Sequence, residues 1–343
     1  MKHIKKHPDL NNQDAAFISV IIVNWNGAAV LPRCLDSLRR QTYQNFELII
    51  VDNGSTDRSW EGLEQTWPGL HLICLPENKG FAAANNIGVL KAGGEWIALL
   101  NIDAFPEPDW LEILVNATQQ HPDFNFFSST LIQAEKPGFL DGTGDVYHIS
   151  GLAWRRDYNQ PITQLNMSVE EVFSPCAAAA LYNRNAFLQV AGFDEDYFMY
   201  HEDVDLGFRM RLKKHKCLYV PDAVVYHLGS SSTSIKSDFS VYLGHRNLVW
   251  SFVQNMPGWL FWKYLPAHIL ANLVFLVYYS LHGKAATIWR AKWHAILGLP
   301  RAIRKRRTIQ KDCKISLEEI SGVMEHGWFY PYLREFRKRD QVQ

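Results

Sequence analysis

The chain has 343 residues, with 35 Lys and Arg against 35 Asp and Glu, so its formal net charge is zero. That length leaves room for one large or two ordinary domains with a sizeable core. Neutrality removes the electrostatic case for nucleic acid as a partner, which would need a basic surface. The balance conceals an asymmetry, because from Gly283 to the C-terminus Lys and Arg outnumber Asp and Glu 14 to 6. A basic tail suits an anionic membrane surface, and a solvated helical face is the alternative. Five cysteines, Cys34, Cys74, Cys176, Cys217 and Cys313, stand apart with no CxxC pair. They fit a reducing compartment better than a disulfide framework.

Residues 1–16 read as a polar, disordered lead without the apolar core of a signal peptide, so the bulk of the chain is expected in the cytosol. Residues 17–23 are apolar and β-branched, the mark of a buried strand in a parallel sheet, and Asn24-Trp25-Asn26-Gly27 ends it. Val30, Leu31, Leu35 and Leu38 then recur at helical spacing. Residues 46–51 form a second strand, ended by Asp52-Asn53-Gly54-Ser55-Thr56-Asp57, where Ser55 or Thr56 is expected to cap a following helix. A third strand at 70–75, a helix at 79–91 and a fourth strand at 96–100 lead to Asn101-Ile102-Asp103. Pro106 and Pro108 open another helix. This alternation implies an α/β fold, a mostly parallel sheet with right-handed crossovers and helices on both faces. In such sheets ligands bind beyond the carboxyl ends of the strands. Asn24 and Asn26, Asp52 and Asp57, Asn78, and Asp103 all fall there. A strand-capping turn explains any one of them, but four together argue for a binding crevice.

From residue 124 to about 182 the alternation is lost, and Gly138, Gly142, Gly144, Gly151 and Pro161 mark loops and short strands. This half is expected to shape a pocket for a second substrate, with Trp154, Arg155 and Arg156 either as contacts or as surface loop. Between Asp194 and Arg209 several carboxylates crowd beside aromatic residues. Such carboxylates cost free energy unless they are paired, bound to metal or used in chemistry, so the segment is a candidate for a general base. Residues 259–282 approach the length of a bilayer span but carry Lys263, Pro266, His268 and Asn272. Trp and Tyr flank them, and Arg304-Lys305-Arg306-Arg307 follows. An interfacial amphipathic helix, a span or re-entrant hairpin, and a buried core helix all remain open.

No GxGxxG follows the first strand and no GxxxxGK[ST] occurs, which disfavours dinucleotide and P-loop folds. Asp52 could accept a hydrogen bond from a base or ribose. Asp103 could hold Mg²⁺ or Mn²⁺ against a diphosphate, because these ions take oxygen ligands and often use few protein carboxylates. His227 is a further candidate ligand or a structural histidine. Cys176 lacks a thiolate-activating neighbour in sequence and is not expected to be a nucleophile.

Six motifs in order, Val23 to Asn26, Val51 to Asp57, Glu77 to Asn86, Leu99 to Ala104, Gly192 to Glu195 and Glu202 to Asp205, resemble family 2 glycosyltransferases of the GT-A fold. The likeness runs from about Ile18 to Arg246 and is nearest the bacterial rhamnosyltransferase-like branch that builds cell-surface polysaccharides. It implies an inverting, metal-dependent transfer from a nucleotide-diphospho-sugar donor, with dTDP-rhamnose leading and UDP-sugars following. By position, Asp52 would read the base, Asn24 and Asn26 would line the nucleoside pocket, and Asn78, Gly80 and Asn85 would sit beside ribose and diphosphate. Asn101 stands where the first acid of the metal motif is usual, and Asp103 would end that motif, with His227 as its partner. Asp203 would be the catalytic base, positioned by Glu202, Asp205 and Arg209. Pro175, Cys176 and Trp154 would border the acceptor.

The organisation implied is a nucleotide-sugar-binding half at 17–123, an acceptor-binding and catalytic half at 124–254, and a helical, membrane-associating tail at 255–343. No QxxRW follows the Glu-Asp pair, so single-sugar transfer is favoured over polymerisation. A lipid-diphosphate-linked saccharide acceptor at the cytoplasmic face of the plasma membrane fits the tail. A non-catalytic sugar-nucleotide-binding scaffold is the competing reading.

Overall fold

The computed structural model describes residues 16–229 and 237–327. Residues 1–15 of the expected lead at 1–16 and the last basic residues of the tail lie outside the described residues. The chain forms β1 (Ile18–Asn24), α1 (Leu31–Arg39), β2 (Phe46–Asp52), the single turn α2 (Leu63–Thr66), β3 (His71–Cys74), α3 (Phe81–Lys91) and β4 (Trp96–Leu100). There follow β5 (Ala104–Pro106), α4 (Trp110–Gln120), β6 (Phe126–Gln133), β7 (Leu140–Gly142), β8 (Asp145–Tyr147), β9 (Ala153–Arg155), β10 (Glu170–Val172), β11 (Ala179–Asn183) and α5 (Arg184–Gln189). The last are α6 (Glu202–Leu212), β12 (Cys217–His227), α7 (Asp238–Asn255), α8 (Leu260–Leu281), α9 (Ala285–Lys311) and α10 (Leu317–Gly322).

The main sheet has the order β10-β12-β6-β11-β4-β1-β2-β3, with β5 beside β12 and β7 beside β6. β4, β1, β2 and β3 are parallel, and β11 enters antiparallel between β4 and β6. The apolar runs are continuous because both faces are covered. Ile18, Val20 and Ile22 point into a core with Leu35 of α1 and Leu114 of α4. Ile21, Ile49 and Leu99 point the other way, toward Ala84 of α3 and Leu206 of α6. The two halves read from sequence therefore share one sheet.

Ser55 and Thr56 do not cap a helix. Asn24 Nδ2 donates to Ser59 Oγ at 2.8 Å and to Ser55 Oγ at 3.3 Å, and Thr56 N donates to Asn26 Oδ1 at 2.8 Å. These groups tie the loop after β2 to the end of β1, and the helix shrinks to α2.

The helical tail is no appendage. α7 packs along α9, and Leu260, Tyr264 and Ala302 join Tyr197, Phe208 and Trp250 in a third core. Asn255 Nδ2 donates to Asp205 Oδ1 at 2.7 Å. Half of the expected basic run is spent inside the fold: Lys305 pairs with Asp194 and Asp196, and Arg306 donates to the Val253 and Met256 carbonyls.

α6 starts with three acids in its first turn, favourable at the positive end of a helix. Asp205 within it is fully buried and paired with Arg209 through Nε at 2.8 Å and Nη2 at 2.7 Å. Tyr197 OH also donates to it at 3.2 Å, and Arg209 Nη1 reaches the Val190 and Gly192 carbonyls at 2.6 Å. Removing one partner strands a buried charge. Arg209→Met is expected to cost about 3–5 kcal/mol of stability, read as a lower midpoint in urea unfolding.

Candidate active site

A cavity of about 560 Å³ opens at the carboxyl ends of β1, β2 and β4, where the parallel sheet predicts a ligand site. Val23, Trp25, Asn53, Asn78 and Phe81 line one end. Asp103 and His227 line the middle, and Glu202 and Asp203 the far wall. Of the residues singled out from sequence, Asn78, Asn101, Asp103, Trp154, Arg155, Cys176, Glu202, Asp203 and His227 meet there.

The others lie outside the lining. Asn24 and Asp52 are buried beneath it and hydrogen-bonded to each other, Asn24 Nδ2 to Asp52 Oδ1 at 2.7 Å. Asp52 Oδ2 also accepts from Ser55 N at 3.0 Å. Asn26 holds the 55–56 turn from a left-handed conformation with φ 52°. Asn85 is buried and donates to the Phe81 carbonyl at 2.9 Å. Gly80 has φ 87°, and a Cβ there would come within 2.6 Å of the Phe198 ring and carbonyl. Its glycine lets the segment before α6 close down on α3. Pro175 is buried next to Cys176, while Asp205 and Arg209 sit behind the wall in the ion pair already described.

His227 ends β12 opposite Ala104 of β5, which brings it to the loop that carries Asp103. Its Nδ1 is 2.7 Å from Asp141 Oδ2, and its Nε2 is buried, without a well-formed hydrogen bond, 3.3 Å from Asp103 Oδ1. Burial disfavours the charged imidazole, but the contacts and charges of Asp103 and Asp141 outweigh it and raise the pKa. Burial also opposes ionisation of Asp141, and Arg155 and His227 reverse that and hold its carboxyl below the usual range. A histidine with one nitrogen on a carboxylate and the other facing a second carboxylate is the arrangement of a metal ligand with its orienting partner. The donor chemistry therefore fits Mg²⁺ or Mn²⁺ at Asp103 and His227. Among the described residues no group of three or more such side chains forms a cage. A divalent ion here would draw its other ligands from substrate oxygens and water.

The far wall is crowded with carboxyl groups. Burial raises the Asp203 carboxyl above the ordinary range, against Val204 N at 2.8 Å, Ala177 N and the Arg155 charge. Burial and the neighbouring Asp203 push Glu202 and Asp145 well above it. Three like charges in one partly dry wall cannot all ionise cheaply, and the half-buried Asp203 is the one best placed to do so. Burial likewise raises the Cys176 thiol and keeps it protonated, so it is not poised as a nucleophile.

The chain enters α6 through Phe198, Tyr200 and His201 at φ 66°, 68° and 67°. Such a run costs free energy and persists only when its surroundings fix it. Asn247 of α7 does so: Nδ2 reaches the Tyr197, Met199 and Tyr200 carbonyls at 3.1, 2.9 and 2.8 Å. Asp141, Asp145, Asn53, His201 and Asn247 were missed from sequence. Asp141 and Asp145 had a faint signal, two acids within the glycine-interrupted run Asp141-Gly142-Thr143-Gly144-Asp145. Asn247 had none, because nothing local distinguishes it from any polar helical residue.

Residues 19–190 match the model of glycosyl transferase family 2. A Mycobacterium tuberculosis protein named N-acetylglucosaminyl-diphospho-decaprenol L-rhamnosyltransferase is 27% identical over 270 residues, 71% of this chain and 86% of the relative. Among solved structures, the mannosyltransferase PcManGT from Pyrobaculum calidifontis, in complex with GDP-Man and Mn²⁺, superposes with a TM-score of 0.51 at 18% identity, covering 86% of this chain and 84% of that one. GalNAc-T7 with UDP, GalNAc and Mn²⁺ gives a TM-score of 0.58 at 17% identity over 71% of this chain, which spans 48% of that structure. The chain belongs to glycosyl transferase family 2, in its rhamnosyltransferase-like branch, and is a glycosyltransferase of the GT-A fold.

Asn247→Ala is expected to lower kcat roughly 10- to 100-fold through a displaced α6 entry, with little change in donor KM. Steady-state kinetics with varied donor would separate the two parameters.

Proposed function

We propose that this enzyme moves one sugar, L-rhamnose from dTDP-rhamnose, onto a lipid-diphosphate-linked saccharide during bacterial cell-surface polysaccharide synthesis. It would act at the cytoplasmic face of the plasma membrane. The observation that carries the reading is a single cavity with a half-buried carboxylate of raised pKa, Asp203, in the same space as the Asp103–His227 pair. The name of the mycobacterial relative supports a rhamnosyl group and a lipid-diphosphate acceptor.

In this reading residues 17–123 bind the donor. Asn24, Asn26 and Asp52 form the floor of the nucleoside subsite and tie its loop, and Asn78, Gly80, Asn85 and Asn101 flank ribose and diphosphate. Residues 124–254 supply the acceptor wall, with Trp154, Pro175 and Cys176. The acceptor hydroxyl attacks the anomeric carbon in line. Its proton passes to Asp203 as the new C–O bond forms, and the bond to the diphosphate breaks with its electron pair leaving on the nucleoside diphosphate. The raised pKa makes Asp203 a stronger base than an ordinary aspartate. Glu202 and Asp145, held toward the neutral form, spare it further repulsion. Asp205 and Arg209 hold the helix that presents it. Asp103 and His227 would hold Mg²⁺ or Mn²⁺, which supplies positive charge beside the departing diphosphate. One transfer then ends the cycle.

Calorimetry with dTDP-rhamnose and UDP-sugars, with and without Mn²⁺ or Mg²⁺, tests the donor. Metal-dependent binding of dTDP-rhamnose is expected, and preference for a UDP-sugar would replace the donor. Asp203→Asn should bind donor as the parent does and lose turnover; retained turnover would refute the base. In the parent, kcat/KM should rise with pH through a value above the usual aspartate range, because the active form is the deprotonated one. Asp141→Asn should raise the metal concentration for half-maximal activity about 10- to 100-fold by releasing the His227 ring, measured by metal titration of turnover.

A further inference from the structure

Of the twenty exposed large hydrophobic side chains among the described residues, thirteen lie from Trp259 to Ile303. Trp259 caps α8 and the other twelve sit on α8 and α9, two helices joined by a tight turn and packed together. On α8, Trp262, Ile269, Leu273, Val277 and Leu281 are each more than half exposed, while Leu260, Tyr264, His268 and Ala271 are buried on the other face. On α9, Trp289, Trp293, Ile296 and Leu297 are exposed and Ile288, Ala291 and Ala295 buried. An apolar surface of this extent marks a docking surface.

Its composition selects the occupant. From Trp259 to Lys311 the chain has ten Lys and Arg and not one Asp or Glu. Lys263, Arg290, Arg304, Arg307 and Lys311 are exposed. A second copy of the chain would set these cations against one another. Tryptophans beside an aliphatic stripe, with cations and no acids, match the boundary between water and an anionic bilayer.

α8 is 22 residues long and apolar enough to cross a membrane. It is, however, fastened at mid-length to the catalytic fold. His268 Nδ1 is hydrogen-bonded to the Ser150 carbonyl at 2.8 Å, and its ring stacks on Phe252 at 4.0 Å. Lys292 Nζ of α9 bridges Asn272 Oδ1 at 2.5 Å and the His245 carbonyl of α7 at 2.9 Å. A span would tear these groups away and leave them in hydrocarbon. We propose that α8 and α9 form a monotopic docking hairpin that beds its apolar faces in the interfacial layer of an anionic bilayer, with neither helix crossing it. For the acceptor this rests on the transferase reading. Trp154 of the cavity wall and Phe275 of α8 pack on the same cluster of Leu152, Leu248 and Ala271, so the acceptor wall stands beside the docking helix.

The test floats the full chain with vesicles of phosphatidylcholine alone or with about one-third phosphatidylglycerol. Binding to the anionic vesicles, at least about tenfold weaker to neutral ones and released by alkaline carbonate, is expected. Leu273→Asp/Val277→Asp alters exposed positions only. It should keep the parent Tm and sugar-nucleotide binding while partitioning at least about tenfold less into vesicles. A double variant that floats like the parent would overturn the docking surface, as would a parent that ignores vesicles and forms dimers the variant dissociates. Retention through carbonate would overturn the monotopic mode. A parent that binds vesicles but no sugar nucleotide would instead sink the transferase reading and leave the hairpin standing.

Discussion

The turn from Phe198 to His201 is the constraint on which the site depends. Three of its four residues have left-handed backbone conformations, and no glycine relieves them. The turn is pressed onto α3 at Gly80, where a side chain would collide with Phe198, and Ala82 N donates to the Phe198 carbonyl at 3.3 Å. From the other side Asn247 fastens three of the carbonyls in and beside the turn, and Arg246 Nη2 donates to those of Asp196 and Tyr197 at 3.0 Å. Lys305 of α9 clamps the Asp194 and Asp196 side chains just upstream. The acids that open α6 are thus aimed by parts of the chain on both sides of them in sequence. The turn thus ties α3, α6, α7 and α9 into one unit.

That unit explains the electrostatics. Glu202, Asp203 and Asp145 are crowded where burial raises all three carboxyl groups. Arg155 reaches across the cavity, paired with Asp141, which in turn orients His227. One guanidinium so links the wall of raised carboxyls to the pair suited to a cation. A fold held less firmly would let water relax these charges and lose the differences between them.

The sequence made β1, β2 and β4 legible because each is an apolar run covered on both faces, and β4 was read without error at either end. Asp103 and His227 could be picked out because one follows a strand and the other ends one, and Asp203 because it opens a helix after a run of acids and aromatics. Asp141, Asp145 and Arg155 were harder, since β7, β8 and β9 are three residues each and have no periodicity to count. Arg304 to Arg307 read as one basic patch, yet helical geometry turns Lys305 and Arg306 inward and leaves Arg304 and Arg307 outside. The burial of one face of α8 was invisible for the same reason: only the packed fold decides which side of an apolar helix finds a protein partner.

The proposed reaction is a single displacement at the anomeric carbon by a hydroxyl that Asp203 deprotonates. The most direct measurement is the anomeric configuration of the product, by NMR, after incubation with dTDP-rhamnose and a lipid-diphosphate-linked saccharide. Inversion, with one sugar added per acceptor, is the predicted result. Retention of configuration would require a two-step route and would contradict the account.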